Sequence, residues 1–573
     1  MKLRSADFFE SNTRVFLFLL IPTVLLYIKS LWFGFTQLDE KWLILDRTEY
    51  LKLWSSLPET FTTGLYKLYY RPLLGVSIFI DYKIGGVSPF IYHLTNIFWH
   101  LVSVFCLFKL LILFDVSHKK AAYLALIFSL HPMLVHAVAW VPGRNDAMLC
   151  TFTLCSIIYL KKHLLQPQAK YLVLNVFFFI CALFTKENAL ALPVLFFFML
   201  YPKGSDKKLF RAPVFWILVG GLWLLLRCSV VSFTGTSSLS ILSRIINFTS
   251  GLFIYAGKCF FPLNQSVYPT ANVQDVVMGV IAVAFLLFLF LKPGLDNRRT
   301  AFTGLVLFFI LLVIPLWISS GKADGELYEH RIYTPLCGLV LFLSQVKFDF
   351  NAKALRVFFT ALLLFFSVKS YLRENIYKNE DTFVLCAIKN QPGFFLFQTQ
   401  YATYLCAKGD YKRAIYYYSQ AIKQRPDKHQ PYKDRGYAYF LIGDFKSAIN
   451  DLNTAIAISG FRLDYYLDRC AVYNASNDLE NTFKDLKTLV NCCETSIPKE
   501  LRNAAAKSWQ HALRNLSNKL NVEPNNDSLL FERAKLFFYV DEKTKGLEDL
   551  KKGLSISPYN QTYLKLYTEN LPK

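Results

Sequence analysis

The sequence predicts an all-α protein in which a polytopic membrane bundle of about eleven helical spans precedes a solenoid of paired helices. Two observations predict the bundle. The 573 residues are 54% hydrophobic and 17% aromatic, and their mean hydropathy is +0.31, whereas a soluble chain of this length lies near or below zero. The third observation predicts the solenoid: apolar segments stop near Leu372, and amphipathic segments follow.

The charge balance agrees with a membrane protein. The net charge is +22, from 63 Lys and Arg against 41 Asp and Glu. In a membrane protein such an excess indicates cytoplasmic loops and contacts with lipid head groups. We find no nucleic-acid-binding motif, and the 12 cysteines form no Cys-x-x-Cys pair. The first apolar segment is long and has no small-residue cleavage site, so we expect a signal anchor.

The apolar segments are long enough, or nearly long enough, to cross a hydrocarbon core at ~1.5 Å per residue. The shorter ones are expected to be tilted or partly buried helices of a large bundle. In chain order the segments are Val15–Phe33, Pro89–Phe114, Ala121–Trp140, Ala147–Leu160, Tyr171–Phe184, Ala189–Tyr201, Ala212–Val231, Val273–Leu291, Ala301–Ile318, Tyr333–Val346 and Ala354–Leu372.

Basic clusters predict the orientation, because Lys and Arg are concentrated in cytoplasmic loops. The clusters are Lys2 with Arg4, His118–Lys120, Lys161–Lys162, Lys203–Arg211, Lys292–Arg299 and Lys347–Lys353. If all are cytoplasmic, the segment Ile245–Phe261 does not cross and is re-entrant or interfacial. The N-terminus is then cytoplasmic and the C-terminal region lies outside, in the periplasm of a bacterium or the endoplasmic reticulum lumen of a eukaryote.

The second half repeats itself with a period of 34 residues. Gly409-Asp410-Tyr411 matches Gly443-Asp444-Phe445, and Ala414 and Ala421 match Ala448 and Ala455. A 34-residue helix–turn–helix period with small residues at the helix crossings is typical of tetratricopeptide repeats. We predict four to five repeats over residues 377–573, after a membrane domain of residues 1–372 whose first outer loop is 35–88. Such arrays bind peptides or proteins on a concave surface.

An acidic pair, Asp39-Glu40, follows the first span within a few residues. One interpretation is a solvated interfacial loop. The other is general-base chemistry, because a carboxylate at an apolar boundary has a poorly solvated charged form, and its pKa then rises toward the range that suits proton abstraction.

Polar groups also occur within the second and third apolar segments and in the short connection that follows the third. His93 lies on one helix face with Asn96 and His100, where structural hydrogen bonds between helices are the favoured interpretation. The block from His131 to Asp146 also contains His136 and Arg144 at a helix end that Pro132 disturbs. His131 and His136 do not have the usual spacing of zinc ligands on a helix, whereas Arg144 suits an anionic head group.

Three further clusters fall on the same predicted outer face. They contain Arg71, Lys186 with Glu187, and Glu329-His330-Arg331. Each alone could be an edge cluster whose long side chains reach toward the interface. Together, cations that hold a phosphate and a carboxylate that activates a hydroxyl predict a transferase with a lipid-phosphate donor.

These motifs resemble a known family. The order is Leu38-Asp39-Glu40, Arg71-Pro72-Leu73, Tyr92-His93-Leu-Thr-Asn96, His131-Pro-x-x-x-His136-Ala-Val-Ala-Trp140-Val-x-Gly-Arg144-x-Asp146, Thr185-Lys186-Glu187 and Glu329-His330-Arg331-x-Tyr333-x-Pro335. The series resembles the GT-C polytopic glycosyltransferases, and within them the transmembrane and tetratricopeptide-repeat-containing O-mannosyltransferases and their bacterial homologues. The chain departs from the family in having Asp-Glu where Asp-Asp is frequent, and its repeat array is short.

The resemblance implies inverting transfer of a sugar, mannose being favoured, from a polyprenyl-phosphate donor to a protein Ser or Thr hydroxyl outside the cytoplasm. It implies that Asp39 is the catalytic base with Glu40 beside it, and that Arg144, Lys186 and Arg331 bind the donor phosphate. The wider set of candidate donor-site residues is Arg71, His93, His131, His136, Arg144, Asp146, Lys186, Glu187, Glu329, His330 and Arg331. It implies no certain cofactor; a divalent metal is left open.

Three alternatives remain at this stage. The chain could be a membrane-anchored scaffold in which only the repeats act, or its acceptor could be a glycolipid or glycan. A transporter of lipid-linked sugars would show an internal repeat in the bundle, and we find none.

Overall fold

The computed structural model describes residues 9, 11–65, 69–200, 211–231, 239–266, 272–321, 327–347, 352–476, 478, 481–482, 484–485, 488–489, 499–539 and 542–571. The chain divides into two compact units, Met1–Asn390 and Gln391–Lys573. The boundary follows the helix Glu380–Asn390, so this helix belongs to the first unit. The described residues are helical with short connections, which confirms the predicted all-α fold class.

The first unit consists of long apolar helices joined by short helical turns. Its α-helices are Asn12–Tyr27, Asp39–Leu43, Thr48–Lys52, Pro72–Gly85, Pro89–Leu113, His118–Ser129, Val135–Ala139, Arg144–Leu165, Ala169–Thr185, Leu192–Leu200, Arg211–Val230, Ile241–Phe260, Val273–Leu291, Arg298–Ser320, Tyr333–Leu343, Lys353–Glu374 and Glu380–Asn390. Its 3₁₀ turns are Ile28–Trp32, Leu45–Arg47, Trp54–Phe61, Pro132–Leu134, Val141–Gly143, Glu187–Ala191, Glu329–Ile332 and Asn375–Tyr377.

Fewer helices are long enough to span a bilayer than the sequence predicts. Among the described residues, 7 helices are long and apolar enough, or 8 if His118–Ser129 and Pro132–Ala139, bent by 49°, form one span. Each of the eleven predicted segments is helical, but Ala169–Thr185, Glu187–Leu200 and Tyr333–Leu343 are shorter. The shorter helices fit the tilted or partly buried helices that the sequence predicts, and the count of about eleven spans stays a prediction.

The helix Ile241–Phe260 covers the segment that we predict not to cross. It has 20 residues, and it packs tightly against Val273–Leu291. A Cβ on Gly257 would lie 2.7 Å from the backbone nitrogen of Gly279, so glycine at 257 allows this close approach. Its position relative to a membrane stays a prediction. The basic cluster at 203–210 lies outside the described residues.

The predicted first outer loop contains a helix that the sequence analysis missed. Pro72–Gly85 begins with proline at its first position, which suits a helix start, and it buries Ser77 and Asp81. Asp81 is 2% exposed. This helix brings a carboxylate into the membrane unit, next to the site described below.

The second unit is a stack of helix pairs. Its helices are Phe395–Ala407, Tyr411–Gln424, His429–Leu441, Phe445–Ser459, Leu463–Ala475, Lys499–Val522, Asp527–Tyr539, Lys543–Ile556 and Gln561–Asn570. The first helices of three successive pairs begin at Phe395, His429 and Leu463, which gives the predicted 34-residue period. Gly409 and Gly443 have φ of 82° and 81° within the turns, a conformation that glycine adopts readily. Residues 491–498 lie outside the description.

Three buried ion pairs recur through the array. Arg435, Arg469 and Arg533 each donate two hydrogen bonds to an aspartate 16 residues later, at 2.5 to 2.7 Å. Their remaining NH1 groups donate to Ser419, Asn453 and Ser517, in that order. Each arginine thus joins three helices, and the bidentate geometry fixes how neighbouring repeats pack.

Candidate active site

Asp39 and Glu40 lie at the start of a short helix, Asp39–Leu43, just after the first span. Glu40 is 1% exposed and accepts hydrogen bonds from the Thr36 hydroxyl at 2.9 and 3.1 Å. Asp39 is half-buried. Burial raises the pKa of Asp39 to about 6, opposed by the Arg71 guanidinium, and burial raises the pKa of Glu40 to about 7. The Glu40 carboxylate is held by the Thr36 hydroxyl of the same loop, whereas the Asp39 carboxylate lies within the electrostatic range of Arg71.

Arg71 links the acidic pair to Glu187, which follows the fifth predicted span. Its Nε and NH2 groups donate to Oε2 of Glu187 at 3.2 and 3.0 Å, and its guanidinium lies 4.2 Å from the Tyr69 ring centroid. Oε1 of Glu187 is buried and has no hydrogen-bond partner among the described residues. The structure therefore brings together Asp39, Arg71 and Glu187, which lie far apart in the sequence.

Lys186 forms a buried ion pair beside this group. Its ammonium donates to both carboxylate oxygens of Asp146 at 2.7 and 2.9 Å. Burial lowers the pKa of Lys186, the Asp146 carboxylate opposes this effect, and the positive charges of Arg71 and Arg331 add to it. Arg71, Lys186 and Arg331 thus form one group of interacting cations, as the sequence predicts from their common face.

Arg144 differs from this group. It is 0% exposed, and it donates to Asn96 Oδ1 at 2.8 Å, Ser77 Oγ at 3.0 Å, the Tyr92 carbonyl at 2.7 Å and the Asp81 carboxylate. Its guanidinium is therefore committed to protein acceptors from two other helices. This geometry favours a positioning role over the phosphate contact that the resemblance implies.

The polar face of the second span is mostly structural. Asn96 also donates to the carbonyls of Val138 and Trp140 at 3.0 and 2.9 Å, which satisfies the broken helix end there. His100 bonds the Tyr333 hydroxyl at 2.5 Å and the Ser129 carbonyl at 3.1 Å. His93 is buried beneath the first loop, with its ring edge-on to Phe33 at 6.2 Å.

The two histidines of the third predicted span have different environments. His131 bonds the Cys259 carbonyl at 3.0 Å and accepts from the backbone N–H of Met133 at 3.2 Å, so it caps the turn at Pro132. His136 faces His330, with ring centroids 4.7 Å apart, and thereby joins two of the predicted motifs. Burial lowers the pKa of His330 well below its ordinary value.

Glu329 is the centre of a second buried charge network. It is 0% exposed, pairs with Arg373, accepts from the Ser266 backbone N–H at 3.0 Å, and lies 3.5 Å from the Lys258 ammonium. Sequence analysis missed Arg373 and Lys258. Both are basic residues near the end of an otherwise apolar segment, and this feature could have indicated a buried ion pair. Glu329 therefore anchors the turn that carries His330 and Arg331.

The described residues contain no group of three or more His, Cys, Asp or Glu side chains that could hold a metal ion. The sequence left a divalent metal open, and that question stays open. The site combines a half-buried carboxylate, three interacting cations and a pair of imidazoles.

The chain is similar to several curated proteins. It is 22% identical over 433 residues to the human "Protein O-mannosyl-transferase TMTC1", a match that covers 62% of this chain and 48% of the relative. It is 30% identical over 121 residues to the Drosophila melanogaster "Protein O-mannosyl-transferase Tmtc1", covering 21% of this chain and 14% of the relative. The matches thus span at most about half of these relatives. The predicted resemblance to O-mannosyltransferases with tetratricopeptide repeats is confirmed.

Solved structures with some likeness are tetratricopeptide proteins. One is YrrB, described as "a TPR protein with an unusual peptide-binding site", with a TM-score of 0.20, 18% identity, and coverage of 32% of this chain and 97% of that chain. Another is a tetratricopeptide repeat protein from Parabacteroides merdae, with a TM-score of 0.21, 14% identity, and coverage of 39% and 100%. No protein-family model matches the chain.

Proposed function

We propose that the protein is an inverting glycosyltransferase that moves a sugar, mannose by preference, from a polyprenyl-phosphate donor to a Ser or Thr hydroxyl of a protein. The observation that carries this proposal is the buried cluster in which Arg71 bonds Glu187 and Lys186 bonds Asp146, with Asp39 within electrostatic range of Arg71. The names of the relatives support mannose and a protein acceptor. The apolar helices support a membrane-embedded donor.

The chemistry is a single displacement at the anomeric carbon. Asp39 removes the proton from the acceptor hydroxyl. At the same time the hydroxyl oxygen forms a bond to the anomeric carbon, and the bond from that carbon to the phosphate oxygen breaks. Arg71, Lys186 and Arg331 stabilise the charge that develops on the leaving lipid phosphate, because they are held in place before the reaction in a site of low dielectric. Glu40 supports the loop that carries Asp39.

We assign the tetratricopeptide unit to the acceptor protein, since stacked repeats form surfaces that bind extended peptides. The reaction takes place on the non-cytoplasmic side, in the periplasm or the endoplasmic reticulum lumen, as the basic loops predict. Asn96, His131 and Arg144 hold the helix ends that carry the reacting groups.

Transfer in vitro tests the proposal. Purified protein would be incubated with radiolabelled polyprenyl-phosphate mannose and an extract of secreted proteins. We expect label in protein that resists amide-cleaving glycosidases and is released by alkaline β-elimination, which identifies a Ser or Thr linkage. Label in lipid or free glycan alone would contradict a protein acceptor, and no transfer of any labelled sugar would contradict the enzyme.

The rate should depend on the ionisation of Asp39. A base acts only when it is deprotonated, and the pKa of Asp39 is about 6. The transfer rate should therefore rise as pH passes through about 6 and fall about tenfold per unit below it. The pH–rate profile of Glu40→Gln should keep this inflection. If Glu40→Gln instead removes the inflection, Glu40 rather than Asp39 is the titrating base.

A further inference from the structure

Four rings pack together, two of them within electrostatic range of Lys186, and we name them the aromatic box: His136, Trp140, His330 and Tyr377. His136 lies 5.1 Å from Trp140 and 5.3 Å from Tyr377, measured between ring centroids. His330 lies 4.7 Å from His136 and 6.0 Å from Trp140. Trp140 and Tyr377 belong to neither the acidic pair nor the cation group, and the sequence analysis did not assign them to the donor.

Each ring of the aromatic box has a buried polar atom without a hydrogen-bond partner among the described residues. These atoms are Nδ1 of His136, Nδ1 of His330, Nε1 of Trp140 and the hydroxyl of Tyr377, which makes no hydrogen bond by geometry but lies within electrostatic range of the Arg373 guanidinium. Buried polar groups are normally paired, so unpaired ones require an explanation such as a ligand or water. Four of them within one ring cluster indicate a ligand that presents several hydroxyl groups.

The charges around the aromatic box favour a ligand portion that is not cationic. The neighbouring carboxylates are already engaged, Glu329 by Arg373 and Lys258, and Asp146 by Lys186. Burial and the surrounding cations keep His330 neutral by lowering its pKa. Neutral imidazole, indole and phenol groups donate and accept hydrogen bonds without bringing a charge.

We propose that the aromatic box holds the neutral hexose of the lipid-linked donor, while Arg71, Lys186 and Arg331 hold its phosphate. A hexose matches the box because its hydroxyls pair with the unpartnered atoms and its C–H faces pack against rings. A positively charged amino sugar would find no free carboxylate among the described residues of the box. This inference rests on the proposed function, because it assumes that the ligand is a lipid-linked sugar whose hexose and phosphate bind at two neighbouring subsites.

Tyr377→Phe is the decisive variant. It removes one unpartnered hydroxyl and keeps the ring. Without ligand, its thermal stability should be unchanged or higher, because a buried hydroxyl without a partner is costly. Its Kd for polyprenyl-phosphate mannose should rise about threefold to tenfold, the effect of one neutral hydrogen bond. Its Kd for polyprenyl phosphate without sugar should not change.

Binding would be measured for both lipids with wild type, Tyr377→Phe, Trp140→Phe and the exposed control Tyr416→Phe. Selective loss of affinity for the sugar-bearing lipid in the two box variants supports the proposal. An equal loss for both lipids, or a lower melting temperature with no selective loss, overturns it. Because binding requires no acceptor, the binding result tests the sugar subsite independently of transfer. A failure to transfer sugar to protein would count against the proposed function and not against the sugar subsite.

Discussion

Asp39→Asn should lower the transfer rate by a factor of about 10² to 10⁴, the usual contribution of a positioned general base. Asparagine has nearly the same size as aspartate but does not accept the hydroxyl proton at neutral pH. The Asp39 carboxylate is also not one of the groups that contact the phosphate in this account. The rate should therefore fall with little change in the Kd of the donor, and steady-state kinetics with a separate donor-binding measurement would check both.

Glu40→Gln is the matched control for this effect. Glu40 is buried and bonded to Thr36, and glutamine keeps an oxygen that accepts from the same hydroxyl. A loss of less than about tenfold is expected, well below the range for a lost general base. Equal losses in both variants would show that the loop is perturbed as a whole, and an unchanged rate in Asp39→Asn would remove Asp39 from the mechanism.

Arg144→Met should cost about 3–5 kcal/mol of stability, as expected when one member of a buried ion pair is removed. The change leaves the Asp81 carboxylate buried without its cation. Asn96, Ser77 and the Tyr92 carbonyl each lose a donor as well. A lower melting temperature in detergent or lipid nanodiscs, together with faster proteolysis, would be the readout.

Two further variants separate the ion pair from general damage. Asp81→Asn combined with Arg144→Met should recover part of the lost stability, because the uncompensated carboxylate is gone and the two effects are coupled. Arg413→Met, at an arginine whose side chain is 57% exposed, should leave the melting temperature unchanged. Full stability of Arg144→Met alone would return Arg144 to the set of candidate phosphate ligands.

The candidate site residues were predictable because each lies close to the end of an apolar segment on the predicted outer face. Asp39 comes within a few residues after the first span, and Lys186 within a few residues after the fifth. The positive-inside bias predicts that these ends lie on one side of the membrane. Sequence reasoning therefore predicted a common face for Asp39, Arg71, Lys186 and Arg331. In the structure Asp39 interacts electrostatically with Arg71, and Lys186 interacts with Arg71 and Arg331.

The partners of these groups were not predictable in the same way. Asp81 belongs to an apolar segment within the predicted first outer loop, and only its packing shows that it pairs with Arg144. Glu329 and Arg373 are far apart in the chain. Tyr377 lies at the predicted domain boundary, so composition suggested a linker. Pairings between distant segments depend on helix packing, which no local pattern encodes.

In the tetratricopeptide unit, too, the sequence predicts the helices but not the side-chain pairs between them. The 34-residue period of glycine and alanine predicts the paired helices, since small residues are needed where helices cross. The recurring pairs, such as Arg435 with Asp451 and Arg469 with Asp485, obey the same period. They were visible in the sequence as residues 16 apart, but only the structure shows that they are ion pairs.

The anomeric configuration of the transferred sugar tests the central claim most directly. Purified wild-type protein would transfer isotopically labelled mannose from polyprenyl phosphate to a protein acceptor, and NMR spectroscopy would determine the configuration of the product. A single displacement with Asp39 as base predicts inversion relative to the donor. Retention would require a covalent intermediate on a second nucleophile, and it would contradict the mechanism.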